Sequence, residues 1–110
     1  MKNSYKEGLD YLESVAAEHK GTELAVRALY LTISSLIRIG NLKGALVRCD
    51  VVVSTDSESW FAPCALFEQA SIYECGLGDR DKADAVYACI VTKYPDSEVA
   101  DLVLRLGKLA

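Results

Sequence analysis

Long apolar runs are missing from this chain: purely apolar stretches such as Val51–Val53 are far shorter than the ~20 residues needed to cross a bilayer. The opening Met1-Lys2-Asn3-Ser4-Tyr5 leads into charged residues with no apolar core of the signal type. Direct membrane insertion is therefore not expected, and the chain as given reads as cytoplasmic, or alternatively as a periplasmic domain fragment of an envelope protein. Basic charge is also scarce. Twelve Lys and Arg against sixteen Asp and Glu leave a formal net charge of −4. Nucleic acid and anionic lipid need a basic face to neutralise phosphates, so neither is an expected partner.

Histidine occurs once, at His19, at the end of a helical segment, which favours a structural role over general-base work. No glycine-rich phosphate loop is present, because Gly76-Leu77-Gly78 lies between two helical segments and lacks the flanking pattern. The four cysteines, Cys49, Cys64, Cys75 and Cys89, lack the close spacing of a small secreted scaffold and read as reduced, buried thiols. A zinc cage fails on geometry: Cys64 and Cys75 fall on one helix, roughly 16 Å apart along its axis. No catalytic residue, metal site or cofactor is expected.

What the chain does have is hydrophobic residues at 51% and charged residues at 25%, the composition of a single folded domain rather than a disordered segment. It also has a repeat. Glu18-His19-Lys20-Gly21-Thr22-Glu23-Leu24-Ala25 aligns with Lys93-Tyr94-Pro95-Asp96-Ser97-Glu98-Val99-Ala100, and the alignment extends upstream to set Leu12 on Tyr87 and Val15 on Ile90. A middle copy sets Gly40-Asn41-Leu42-Lys43-Gly44-Ala45 on Gly78-Asp79-Arg80-Asp81-Lys82-Ala83. Upstream of that turn, Ala25 falls on Ala62 and Leu36 on Tyr73, a register shorter by one, so one residue has been inserted near Cys75-Gly76-Leu77.

Each unit reads as two helices. Tyr5, Leu9, Leu12, Val15 and Ala16 recur at spacings of three and four and define a one-faced first helix within 3–20. The next starts at the N-cap Thr22 and stops at Gly40-Asn41; it is apolar nearly all round and must be covered on more than one side. The third spans Leu42 to Ser54. Its Val51-Val52-Val53 alone would suggest a strand, but Val52 occupies the register of Val15 and Ile90 in helical segments. A fourth starts near Ser57 or Ser59, with Pro63 in its first turn, and ends near Cys75. A fifth covers Arg80 to Lys93, and a last one Ser97 to about Lys108.

The segment Ala70–Ser97 resembles a tetratricopeptide repeat, with Ala70, Tyr73, Gly78-Asp79, Ala83, Tyr87 and Pro95 at that family's small, aromatic, turn, small, aromatic and proline positions. The tail Tyr94-Pro95-Asp96-Ser97-Glu98-Val99-Ala100 is similar to the variant common in bacterial envelope proteins: the Tol-Pal coordinator, outer-membrane assembly lipoproteins and the ancillary subunit of the Sec translocon. The middle unit departs from the pattern, with Cys49 in the aromatic slot and Ser57 in place of the proline. The resemblance implies an all-α, right-handed solenoid of about six antiparallel helices: a half-repeat over 3–20, repeats over 22–56 and 57–95, and a terminal helix over 97–109.

It further implies a non-catalytic protein-interaction module that holds a protein or peptide on its concave face, through Arg27, Tyr30, Ser34 and Arg38 of one helix and Phe67, Ser71 and Glu74 of the next. For Tyr30 and Phe67 the alternative is packing between helices. Asn3 and Asn41 are the only asparagines and neither falls on those helices, so the Lys/Asn carboxylate clamp of some relatives is not expected. The terminal helices keep apolar stripes, marked by Leu9, Leu12, Leu102 and Leu106. They suggest a second role, an oligomerisation domain or part of a longer repeat protein, with those stripes covered by another copy or by further chain.

Overall fold

The computed structural model describes residues 2–109, with side chains from Ser4 onward. The described residues form six α-helices and no strand: α1 (Lys2–Glu18), α2 (Glu23–Arg38), α3 (Leu42–Thr55), α4 (Phe61–Ser71), α5 (Arg80–Lys93) and α6 (Glu98–Arg105). A single π turn, Ile72–Gly76, extends α4. Val51–Val53 is helical, as its register requires.

Four helices begin on a side-chain cap that the sequence announces. Thr22, Asn41, Asp79 and Ser97 accept hydrogen bonds from the backbone N–H of Ala25, Gly44, Lys82 and Ala100 at 3.3, 2.8, 3.1 and 3.0 Å. The Thr22 and Ser97 hydroxyls also donate back to the carbonyls of His19 and Tyr94, at 2.6 and 2.8 Å, so the two aligned turns share one geometry. The middle copy breaks the rule. Ser59 Oγ, at the equivalent place, is buried without a hydrogen-bond partner. Its helix starts later than expected, at Phe61, with Trp60 as an N-cap that has no side-chain bond.

The inserted residue is the π turn. At the end of α2, Gly40 takes φ +87° and the N–H of Asn41 donates to the Leu36 carbonyl at 2.9 Å, the usual left-handed helix stop. At the equivalent stop Gly78 takes φ +65°, and the N–H of Asp79 reaches one residue further back, to the Tyr73 carbonyl at 2.7 Å. The chain thus accommodates one extra residue inside the helix and keeps both the glycine and the Asn/Asp cap in place. The last helix ends sooner than expected, at Arg105, with Gly107 as its stop.

Neighbouring helices pack consecutively, and α2 also touches α4 and α4 touches α6. Among the described residues the backbones of α1, α3 and α5 do not approach one another. The even-numbered helices therefore form one row and the odd-numbered helices lie against it. Two cores result. The first joins Leu9, Val26, Ile33, Leu36, Cys49 and Val52, while the second joins Leu66, Ala70, Tyr87, Ile90 and Val103; Val53 packs against both. Buried polar groups tie the layers: Thr32 accepts from Arg48 at 3.1 Å, Arg48 also holds Glu13 at 2.8 Å, and Gln69 donates to Asp50 at 2.9 Å. No described helix is long and apolar enough to cross a membrane.

Candidate functional site

The row of α2, α4 and α6 leaves one side uncovered. On α2 the uncovered stripe is Leu24, Arg27, Leu31, Ser34 and Arg38, at spacings of three and four, with Leu24 and Leu31 each 46% exposed. The repeat register continues this stripe through Cys64, Glu68, Ser71 and Cys75 on α4 and through Val99, Leu102 and Leu106 on α6. Leu102 and Leu106 are exposed, so the stripe has leucines at both ends and a carboxylate near its middle.

The seven residues expected to line a groove are not gathered into one. Ser34 and Arg27 are exposed, although Arg27 pairs with Glu23 at 3.6 Å and lies 5.9 Å over the Phe61 ring. Arg38 folds back onto Tyr5, 5.6 Å over its ring and 3.4 Å from its hydroxyl. Ser71 is half-buried. Tyr30 and Phe67 sit one step around their helices from the open stripe, where they meet other helices. Tyr30 packs on Phe61 of α4 at 5.3 Å and Phe67 on Tyr87 of α5 at 5.9 Å. Both are half-buried, so each packs between helices and keeps part of its ring exposed.

Glu74 is a structural hub. It accepts from Tyr87 Oη at 3.0 Å and Lys108 Nζ at 2.9 Å, and Arg80 lies 3.5 Å away. The Lys108 hydrogen bond, followed by that from Tyr87, holds its carboxyl below the usual carboxylate range. The end-surface expectation also needs correction. Leu9 belongs to the first core at 7% exposure, because α1 turns it onto α2, and Leu12 is half-buried; neither is a free surface residue.

Glu68 and the two α2 leucines were not expected at the surface. Glu68 is half-buried on the open stripe, and among the described residues its carboxylate has no hydrogen bond or ion pair. Burial pushes its carboxyl above the ordinary range. Burial, and after it the Glu68 carboxylate, pushes Tyr30 and Cys49 up to about 12. The seven-residue recurrence Leu24, Leu31, Arg38 was the available signal, obscured because α2 is apolar all round.

Cysteine chemistry is divided by burial. Cys49 is buried and Cys64 half-buried, whereas Cys75 and Cys89 are exposed, contrary to the reading of four buried thiols; all four are free. Among the described residues no group of three or more His, Cys, Asp or Glu is placed to hold a metal ion. Comparison with protein-family models, curated proteins and solved structures finds no match to this chain.

Proposed function

We propose that this chain is a non-catalytic docking module, built of tetratricopeptide-like hairpins stacked as a right-handed solenoid, that holds a protein or peptide segment on the open face of α2, α4 and α6. One observation carries the reading. The even-numbered helices touch in succession, and a stripe along them is exposed at Leu24, Arg27, Leu31 and Ser34 on α2 and at Leu102 and Leu106 at the far end, and half-buried at Cys64, Glu68 and Ser71 between, with Tyr5 and Leu12 of α1 bordering its α2 end. Its chemistry is mixed: exposed leucines at the ends, Arg27 and Ser34 on α2, and between them Glu68, half-buried and without a partner among the described residues. Such a surface suits an amphipathic segment, whose apolar side chains cover the leucines.

The test is differential capture. Wild-type bait is compared with a Leu31→Glu/Leu102→Glu bait altered on the open face and with a Tyr11→Glu bait altered at an exposed site on α1. A partner retained by wild type and the α1 variant but lost with the open-face variant is the expected result. A partner list that does not change on the open-face substitution refutes the proposal.

A second reading, self-association or continuation of the stack, is favoured by Leu104. The repeat register sets it on Leu29 of α2 and Leu66 of α4, which are half-buried and 8% exposed, whereas Leu104 is 56% exposed. An odd-numbered helix would cover it there. Light scattering across concentration, with Leu104→Glu as control, tests this: association reversed by the substitution supports it, and a monomer throughout rejects it for this chain.

A further inference from the structure

A second surface lies at the N-terminal ends of the even-numbered helices, next to the start of the open stripe. Trp60 is the only tryptophan in the chain and is 65% exposed. Its ring meets that of the adjacent Phe61 edge-on at 5.2 Å, and Phe61 in turn lies tilted against Tyr30 at 5.3 Å. An indole left in water beside packed rings is an unspent binding group, since tryptophan contributes more per residue to protein interfaces than almost any other side chain.

Two clefts flank the indole. One, of about 330 Å3, opens between the starts of α2 and α4 and is lined by Glu23 and Asp56. The other, of about 310 Å3, opens between the starts of α4 and α6 and is lined by Glu58, Asp96 and Glu98. No lysine or arginine lines either cleft. Glu23 has Arg27 nearby at 3.6 Å, and one oxygen of Asp56 is taken by the N–H of Glu58 at 3.2 Å. Among the described residues the carboxylates of Glu58, Asp96 and Glu98 have no side-chain partner.

Helix dipoles account for Glu23 and Glu98, which lie in first turns. They do not account for Glu58 and Asp96, which lie in the preceding turns, or for the indole between the two acidic sides. The third feature is Ser59, which lines both clefts and whose hydroxyl is buried without a partner, while its counterparts Thr22 and Ser97 are both satisfied. A buried hydroxyl left unpaired costs stability.

We infer that Trp60 and its two flanking clefts dock a basic, extended protein segment, with an arginine stacked on the indole and adjacent basic side chains in the acidic clefts. Indole is the strongest ring for a cation–π contact, and carboxylates on both sides raise the local concentration of cations before contact is made. This surface borders the open face at Val99 and Arg27, but the two readings are tested by different substitutions, so either can stand if the other fails.

The lone tryptophan supplies the readout. Hexa-arginine peptide is titrated into the full chain while Trp60 emission is followed. The expected result is a saturable change that weakens with added salt and is not produced by hexaglutamate. Glu58→Gln/Asp96→Gln/Glu98→Gln should weaken the affinity by about tenfold or more. Glu7→Gln/Asp10→Gln/Glu18→Gln removes the same charge from α1 and should leave it within about twofold. Trp60→Ala, followed by calorimetry, should lose affinity to a similar degree with the helical circular dichroism unchanged. No saturable change, an equal loss in both charge variants, or unaltered affinity in Trp60→Ala would each overturn the assignment, as would spermine binding as tightly as the peptide.

Discussion

At the scale of single residues, the three aligned turns differ in one hydroxyl, and that difference has a measurable sign. Thr22 and Ser97 each cap a helix and close a turn, so Thr22→Ala and Ser97→Ala should each cost about 1 kcal/mol in denaturant unfolding. Ser59→Ala removes a buried hydroxyl that has no partner, and should be neutral or stabilising. The two half-hidden glutamates carry opposite pH signatures. Glu74 has a lowered folded pKa, so its stabilisation is complete above the ordinary carboxylate range and is lost as pH falls through the lowered value. Glu74→Gln should therefore melt below wild type at pH 7, with the gap narrowing in acid. Glu68 has a raised folded pKa, so its ionised form opposes folding at neutral pH. Glu68→Gln should melt above wild type at pH 7 and match it near pH 3, and thermal scans at both values check the pair.

At the scale of the helix, α3 shows position overriding propensity. Val52 is fully buried in the first core, whereas Val51 is 36% exposed on the other side. Val52→Ala should cost about 2 kcal/mol, for the two methyl groups lost and the space left behind. Val51→Ala exchanges a β-branched residue for the best helix former and should be neutral or slightly stabilising. Equal losses at both sites, measured by urea denaturation, would contradict this orientation of α3. The legibility of each helix followed its ends. Where a capping side chain and a stop were written into the chain, as at Asp79 and Tyr94 around α5, the expected span Arg80–Lys93 agrees with the structure. Where the cap was degenerate, at Ser59, the start of α4 was placed too early. Periodicity also left α6 too long, because a helix stops at its glycine and not at the last apolar residue.

At the scale of the molecule, α4 belongs to both cores: Ala65 lies in the first, Leu66 and Ala70 in the second. Shared burial of this kind couples the two halves. Leu66→Ala in the second core should lower the stability by ~3 kcal/mol. Val26→Ala in the first should shift the same transition, so that circular dichroism and the Trp60 signal continue to coincide. Two separated transitions in either variant would mean that the halves unfold independently.

The sequence alone determined that the chain is helical, that its hairpins recur, and that one residue is inserted before Gly78, because caps, stops and apolar spacing act over a few neighbouring residues. Only the tertiary structure decided which face remains open. Tyr30 and Leu31 are adjacent in sequence and both apolar in character, yet one packs on Phe61 and the other is exposed. A helix that is apolar on every side does not encode its own orientation. The choice comes from the helices that pack around it, and the same packing leaves Trp60 standing between two acidic clefts that no local pattern could announce.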